Sequence, residues 1–256
     1  MDPDVRAKVP GKCPRCGMTL RAGIPEPIEI PVRLTTRPRV IKAGAPVELT
    51  FNMVDPLLHR PVRDYEIVHE KLFHLFVVSQ DLSVFVHTHP QLQPDFSFKL
   101  AFAFPKPGLY RLLSDFYPKG RTPQLIASSV IVPGTGWKLE PARLTADLKP
   151  QHAENLDIEL QMEPPEPIVG QKVLMFFRLR PKDGIEPYIG AMGHMLAVSW
   201  DLIDMIHNHP FLADGGPEIQ FNMIFPRART YRVWVQFQRN GVVNTAHFDV
   251  PVQDLQ

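Results

Sequence analysis

The stretch His74–Pro90, HLFVVSQDLSVFVHTHP, returns 120 residues later as His194–Pro210, HMLAVSWDLIDMIHNHP. His74, Asp81, Leu82, His87, His89 and Pro90 fall on His194, Asp201, Leu202, His207, His209 and Pro210. The correspondence continues outward. Phe102–Phe116 aligns with the run ending at Phe237, so that Phe104-Pro105 meets Phe225-Pro226 and Tyr110 meets Tyr231. Upstream, Gly44–Met53 resembles Gly170–Leu179. Self-similarity on this scale marks a duplicated domain. Two homologous domains are expected at 27–139 and 140–256, after an N-terminal segment at 1–24.

Each copy is a string of short apolar or alternating runs: Val47–Met53, Leu72–Val78, Ser83–His89, Phe96–Phe104, Gly108–Phe116 and Gln124–Val132 in the first, with Val173–Leu179, Tyr231–Phe237 and Thr245–Val252 in the second. Turn chemistry separates them, as at Asp55-Pro56, Lys106-Pro107-Gly108 and Lys182-Asp183-Gly184. With 28 prolines in 256 residues, long helices are disfavoured. The pattern predicts an all-β chain: two tandem antiparallel β-sandwiches, immunoglobulin-like or cupredoxin-like. Tyr110 and Tyr231 are expected to be structural corner tyrosines.

Composition excludes several functions. Lys and Arg total 28 against 27 Asp and Glu, which leaves no basic footprint for nucleic acid. No apolar run is long enough to span a bilayer, and the polar, proline-rich start shows no signal peptide. No nucleophile elbow or phosphate-cradling glycine loop is present, so the chain is not expected to be an enzyme.

The chemistry sits on the repeated hairpin. If Ser79–Leu82 is a four-residue loop, Val78 faces Ser83 and His74 faces His87, with His89 on the same side. Three imidazoles then converge, and the second copy repeats this with His194, His207 and His209. Metals bind imidazole nitrogen at ~2.0–2.1 Å, so each trio suits one ion. In the second copy Met192 and Met205 are expected on the same face. Two thioethers beside three imidazoles form a soft set for Cu(I) or Ag(I), whereas the first copy suits Cu(II) or Zn(II). The histidine face also carries Phe76, Val78 and Phe85, and the opposite face is apolar, so the sequence leaves open whether the histidine faces are exposed or buried. Asp81 and Asp201 read as turn formers.

Cys13-Pro-Arg-Cys16-Gly17-Met18 has the geometry of a metal knuckle, two thiolates on one tight turn. The segment from Met1-Asp2-Pro3 through Gly11-Lys12-Cys13-Pro14 to Cys16-Gly17-Met18-Thr19-Leu20 closely resembles the short heavy-metal-binding domain of copper- and silver-efflux proteins. That resemblance implies Cys13, Cys16 and Met18 as ligands and a metal-efflux protein as partner. Asp2 stands where that family has His, and the chain starts where the family has a preceding Cys-Pro. A shortened N-terminus, with a third Cys and a secretion signal upstream, is therefore expected. The paired sandwiches resemble secreted bacterial β-sandwich proteins carrying HEKxxHL, HxHP and FPxPGxY, matched here by His69–Leu75, His87–Pro90 and Phe104–Tyr110. This implies a periplasmic or secreted setting and metal handling. The expected function is non-enzymatic binding, sequestration or hand-over of copper, with zinc or silver as alternative ions. The rivals are an adhesion or scaffold module with structural histidines, and a copper redox enzyme.

Overall fold

Alternation of buried and more exposed residues marks several of the strands, as at Lys172–Arg180, where Val173, Met175, Phe177 and Leu179 point inward. The computed structural model describes residues 7, 9, 11–15, 17, 19, 20, 23, 27–211 and 218–255. Among them no residue is helical, so no described helix could cross a membrane. The strands of the first repeat are β1 Val32–Arg37, β2 Pro46–Asp55, β3 Arg60–Pro61, β4 Phe73–Ser79, β5 Phe85–Thr88, β6 Gln91–Leu92, β7 Phe98–Ala103, β8 Gly108–Phe116 and β9 Gln124–Val132. Those of the second are β10 Gln151–His152, β11 Asp157–Glu163, β12 Lys172–Arg180, β13 Ile185–Glu186, β14 His194–Ser199, β15 Met205–Asn208, β16 Glu218–Ile224, β17 Thr230–Arg239 and β18 Val242–Pro251.

In the first repeat one sheet runs β1-β2-β7-β6 with β3 added to β2, and the other runs β5-β4-β8-β9. The second repeat has the sheets β10-β11-β12-β16 and β13-β17-β14-β15, with β18 paired to β17. Every pairing that joins β2 to its neighbours, or β12, β14 and β17 to theirs, is antiparallel. The all-β tandem sandwich expected from the strand pattern is what the chain forms. By contact density the chain divides into two compact units. One holds the described residues up to Phe76, His87–Pro107 and Leu112–Thr135; the other holds Val77–Val86, Gly108–Arg111 and the described residues from Gly136 onward.

Aromatic side chains tie each pair of sheets together. In the first repeat Phe73 on β4 meets Phe51 on β2 and Phe98 on β7 at ring distances of 5.3 and 5.0 Å. In the second, Phe177 on β12 meets Phe221, Phe237 and Phe248 at 5.5, 5.7 and 5.9 Å. Each fully buried phenylalanine contributes roughly 1.5–3 kcal/mol of hydrophobic stabilisation. Tyr231 is a corner tyrosine as expected: fully buried, its Oη lies 3.1 Å from the Arg227 carbonyl and 2.9 Å from Asp204 Oδ2. Burial and the Asp204 carboxylate both push its phenol upward.

The hairpin strands depart from half-exposed alternation. Every residue of β4 and of β14 is buried, on both faces. The outward face at His74 and His194 is therefore covered, in line with the apolar residues that share it.

Candidate metal centre

The hairpin loop sets the histidine register: it keeps four residues but sits one position later than expected, at 80–83 rather than Ser79–Leu82, which moves the register by two. Ser79 N donates to Val84 O at 3.1 Å, and Ser199 N donates to Asp204 O at 2.9 Å. Val198 consequently pairs with Met205, and Leu196 with His207. The cause is local. Asp81 Oδ1 accepts from Ser79 Oγ at 2.6 Å and from Ser83 Oγ at 3.0 Å, and Val84 N donates to Ser79 Oγ at 2.9 Å. Asp201 and Asp204 repeat these bonds with Ser199. Leu82 and Leu202 close the loops in the left-handed region, at φ 58° and 59°. The aspartates are turn formers, and their side-chain bonds set the loop one residue further along the chain. Because side chains alternate with period two, a shift of two residues leaves the imidazoles on one face. His207 lies opposite Leu196, and continuing the ladder brings His209 rather than His207 across from His194.

The rings do converge. In the first repeat His74 Nδ1 lies 3.1 Å from His87 Nε2 and 3.2 Å from His89 Nε2. Three nitrogens bound tetrahedrally to one ion at 2.0–2.1 Å would stand about 3.3 Å apart, close to this spacing. Tautomer follows from the other side of the ring. His74 Nε2 is 3.0 Å from Val68 O, and a carbonyl only accepts, so Nε2 carries the proton and Nδ1 presents its lone pair inward. One in-plane lone pair cannot accept two imidazole donors at once, whereas a shared cation satisfies all three nitrogens. The His87 ring also stacks on Phe76 at 4.3 Å, which fixes its plane.

The second repeat uses the same atoms. His194 Nε2 donates to Tyr188 O at 2.8 Å, leaving Nδ1 to face the hairpin. Nδ1 of His194 and Nε2 of His207 and His209 are all buried atoms. In each trio the three ligand atoms lie within 4.8 Å of one another. A carbonyl locking the distal nitrogen of a ligating histidine is the usual outer support of a metal site.

The carbonyls come from matching turns. Val68 and Lys71 bridge across His69-Glu70, and Tyr188 and Ala191 across Ile189-Gly190. All four central residues have positive φ: 46° and 64° in the first turn, 49° and 67° in the second. The sequence reading did not identify these acceptors. The signal was a constant six-residue spacing from Val68 to His74 and from Tyr188 to His194.

The methionines are placed differently. Met205 sits on β15 two residues before His207, on the same strand face. Met192 precedes β14 and packs against the hydrophobic core of the second sandwich, lined by residues such as Met195 and Phe237. The knuckle is described only in part. Cys13 is buried, Gly17 N donates to Cys13 O at 2.9 Å, and Gly17 has φ 73°. Lys12 bridges Thr19, so the segment turns back on itself as a knuckle must. Cys16 and Met18 lie outside the described residues.

Comparison with known proteins matches both repeats and the N-terminal segment. A family model described as Domain of unknown function (DUF8832) matches twice, over residues 29–130 and 151–254. The model for the Heavy metal binding domain matches residues 1–22. Among curated proteins none matches. Solved structures similar to the chain include the Yersinia pseudotuberculosis adhesin InvE, at 10% identity and TM-score 0.27, covering 87% of this chain and 60% of that one. The Escherichia coli adhesin FdeC matches at 12% identity and TM-score 0.30, over 91% of this chain and 67% of that one. A segment of two fibronectin type III domains from chicken tenascin matches at 11% and 0.24, over 87% and 99%. Likeness of that order carries no argument about function.

Proposed function

The chain belongs to the Domain of unknown function (DUF8832) family and begins with a heavy metal binding domain, and from that premise we propose that it is a non-enzymatic heavy-metal-binding protein with one histidine site in each repeat. The observation that carries this reading is the pair of nitrogens at 3.1 and 3.2 Å from the single lone pair of His74 Nδ1. In the first repeat His74, His87 and His89 would hold the ion; in the second, His194, His207 and His209. Three neutral imidazoles suit a d10 ion such as Cu(I), Ag(I) or Zn(II).

Copper is the proposed cargo and the cell envelope the proposed setting. The support is the CxxC-Gly-Met segment, whose thiolates favour soft ions. Binding at the knuckle and at the imidazoles would let the protein sequester the ion or pass it to an efflux partner. Protons compete with metal for imidazole, so affinity should fall as pH drops through the range near ~6.5 where histidine ordinarily titrates.

Thermal unfolding of the full chain with and without Cu(I), Ag(I) or Zn(II) tests the reading. An ion at 100 times its Kd stabilises the native state by roughly 2.7 kcal/mol. A variant with His74, His87, His89, His194, His207 and His209 all changed to Ala should lose the part of that gain arising at the imidazoles. Equal stabilisation of the variant would overturn it.

A further inference from the structure

A cavity in the first repeat shares no lining residue with the histidine triads. It measures about 400 Å³ and opens between β3 with the residues that follow it and the turn Pro118–Arg121. Its lining carries four cations, Arg60, Arg63, Lys119 and Arg121, against two carboxylates, Asp55 and Asp64. One of those carboxylates is already committed. Asp55 Oδ2 accepts from Arg121 Nη2 at 2.8 Å, and its Oδ1 accepts from the amides of Leu57 and Leu58.

Arg121 is the centre of the site. Its side chain is only 7% exposed, and Nη1 is buried with no hydrogen-bond partner among the described residues. Leaving a guanidinium donor unused in the interior is costly. In the second repeat the largely buried Arg239 finds acceptors for all three of its guanidinium nitrogens. Arg239 spends Nε and Nη2 on Asp183 and Nη1 on the carbonyl of Asn155. Around Arg121 the rim is exposed, basic and partly ordered in advance: the Arg63 guanidinium lies 5.0 Å from the Phe96 ring centroid, and Lys119 N is bonded to Asp64 O at 3.0 Å.

We infer that this cavity is a binding site for a small oxyanion, the phosphate or carboxylate group of a polar ligand, received by Arg60, Arg63 and Lys119 in front of the buried Arg121. A planar or tetrahedral oxyanion matches the fork of arginine and the excess of positive charge, and the volume suits a small molecule.

Titration calorimetry on the full chain, with inorganic phosphate and separately with citrate at constant ionic strength, tests it. Saturable binding of at least one anion at a single site is expected, and the arm that responds identifies the group. The surface variant Arg60→Ala/Arg63→Ala/Lys119→Ala, whose melting temperature in anion-free buffer verifies folding, should bind at least about tenfold more weakly. Its metal stoichiometry at the triads should stay unchanged, which separates this result from the metal reading. Absence of saturable binding in both arms, or equal affinity in the folded variant, would overturn the inference.

Discussion

The two histidine triads are built from the same atoms but set in different surroundings. Both take Nδ1 from the first histidine of the hairpin and Nε2 from the HxH pair, and both lock the first ring through a turn carbonyl. Beyond that they diverge. His87 is stacked by Phe76, where the second copy has Leu196. The His194 ring meets the edge of Tyr188 at 5.4 Å, where the first copy has Val68. Met205 replaces Phe85 beside the HxH pair. What a common metal geometry demands is therefore held in both repeats, and what tunes an ion's environment is not. On the proposed reading, the two triads would share one coordination geometry and differ in their surroundings.

The strongest way to break this comparison is to remove one anchor at a time. His74→Ala and His194→Ala should each weaken metal binding in their own repeat by more than about 100-fold while leaving the other site intact, as read by competition with a chelator. Loss of both sites from either single change would mean that the repeats do not act as separate centres.

Stability should separate the repeats next. Arg121 and Asp55 form an ion pair with side chains 7% and 9% exposed, whereas Arg239 pairs with an Asp183 that is 77% exposed. Arg121→Ala strands a buried carboxylate and should cost about 3–5 kcal/mol in denaturant unfolding. Arg239→Ala leaves its partner in water and should cost about 1 kcal/mol or less.

The same pair gives the first repeat an acid response. Burial pushes the Asp55 carboxyl up, but the bonds from Arg121 and from the Leu57 and Leu58 amides outweigh it and leave the group below the usual carboxylate range. Its stabilisation is thus complete above the unfolded value near 3.8 and is lost as pH falls through the lower folded value. Melting curves from pH 6 downward should show a loss at the acid end that Asp55→Asn reduces.

The smallest effect concerns the carbonyl turns. Glu70 and Gly190 occupy matching left-handed positions, at φ 64° and 67°. Gly190→Glu should destabilise by about 1 kcal/mol, because a side chain is disfavoured in that conformation. An unchanged melting temperature would show that this turn tolerates either residue, as the first repeat's does.

Much of this was legible beforehand, for identifiable reasons. Alternation at Val173–Leu179 and the doubled HxHP run display the sandwich and the histidine face directly, because side-chain period is a property of sequence. Register was not legible. Nothing in the run Ser79–Ser83 reveals that Asp81 will bond to both Ser79 and Ser83 and set the loop one residue later. The grouping of the rings survived that error only because two is the strand period. The supporting carbonyls of Val68 and Tyr188 were hidden for another reason: any residue can supply a backbone acceptor. Met192 shows the limit of face counting, since it lies before β14 begins and turns to the core.

The most direct measurement is metal stoichiometry on the full chain with Cys13→Ser and Cys16→Ser, so that only imidazole sites remain. Equilibrium dialysis against Zn(II) or Cu(I) with elemental analysis should return two ions per chain, falling to one when His194, His207 and His209 are changed to Ala. A chain that retains no ion, or retains the same number after that change, would contradict the account.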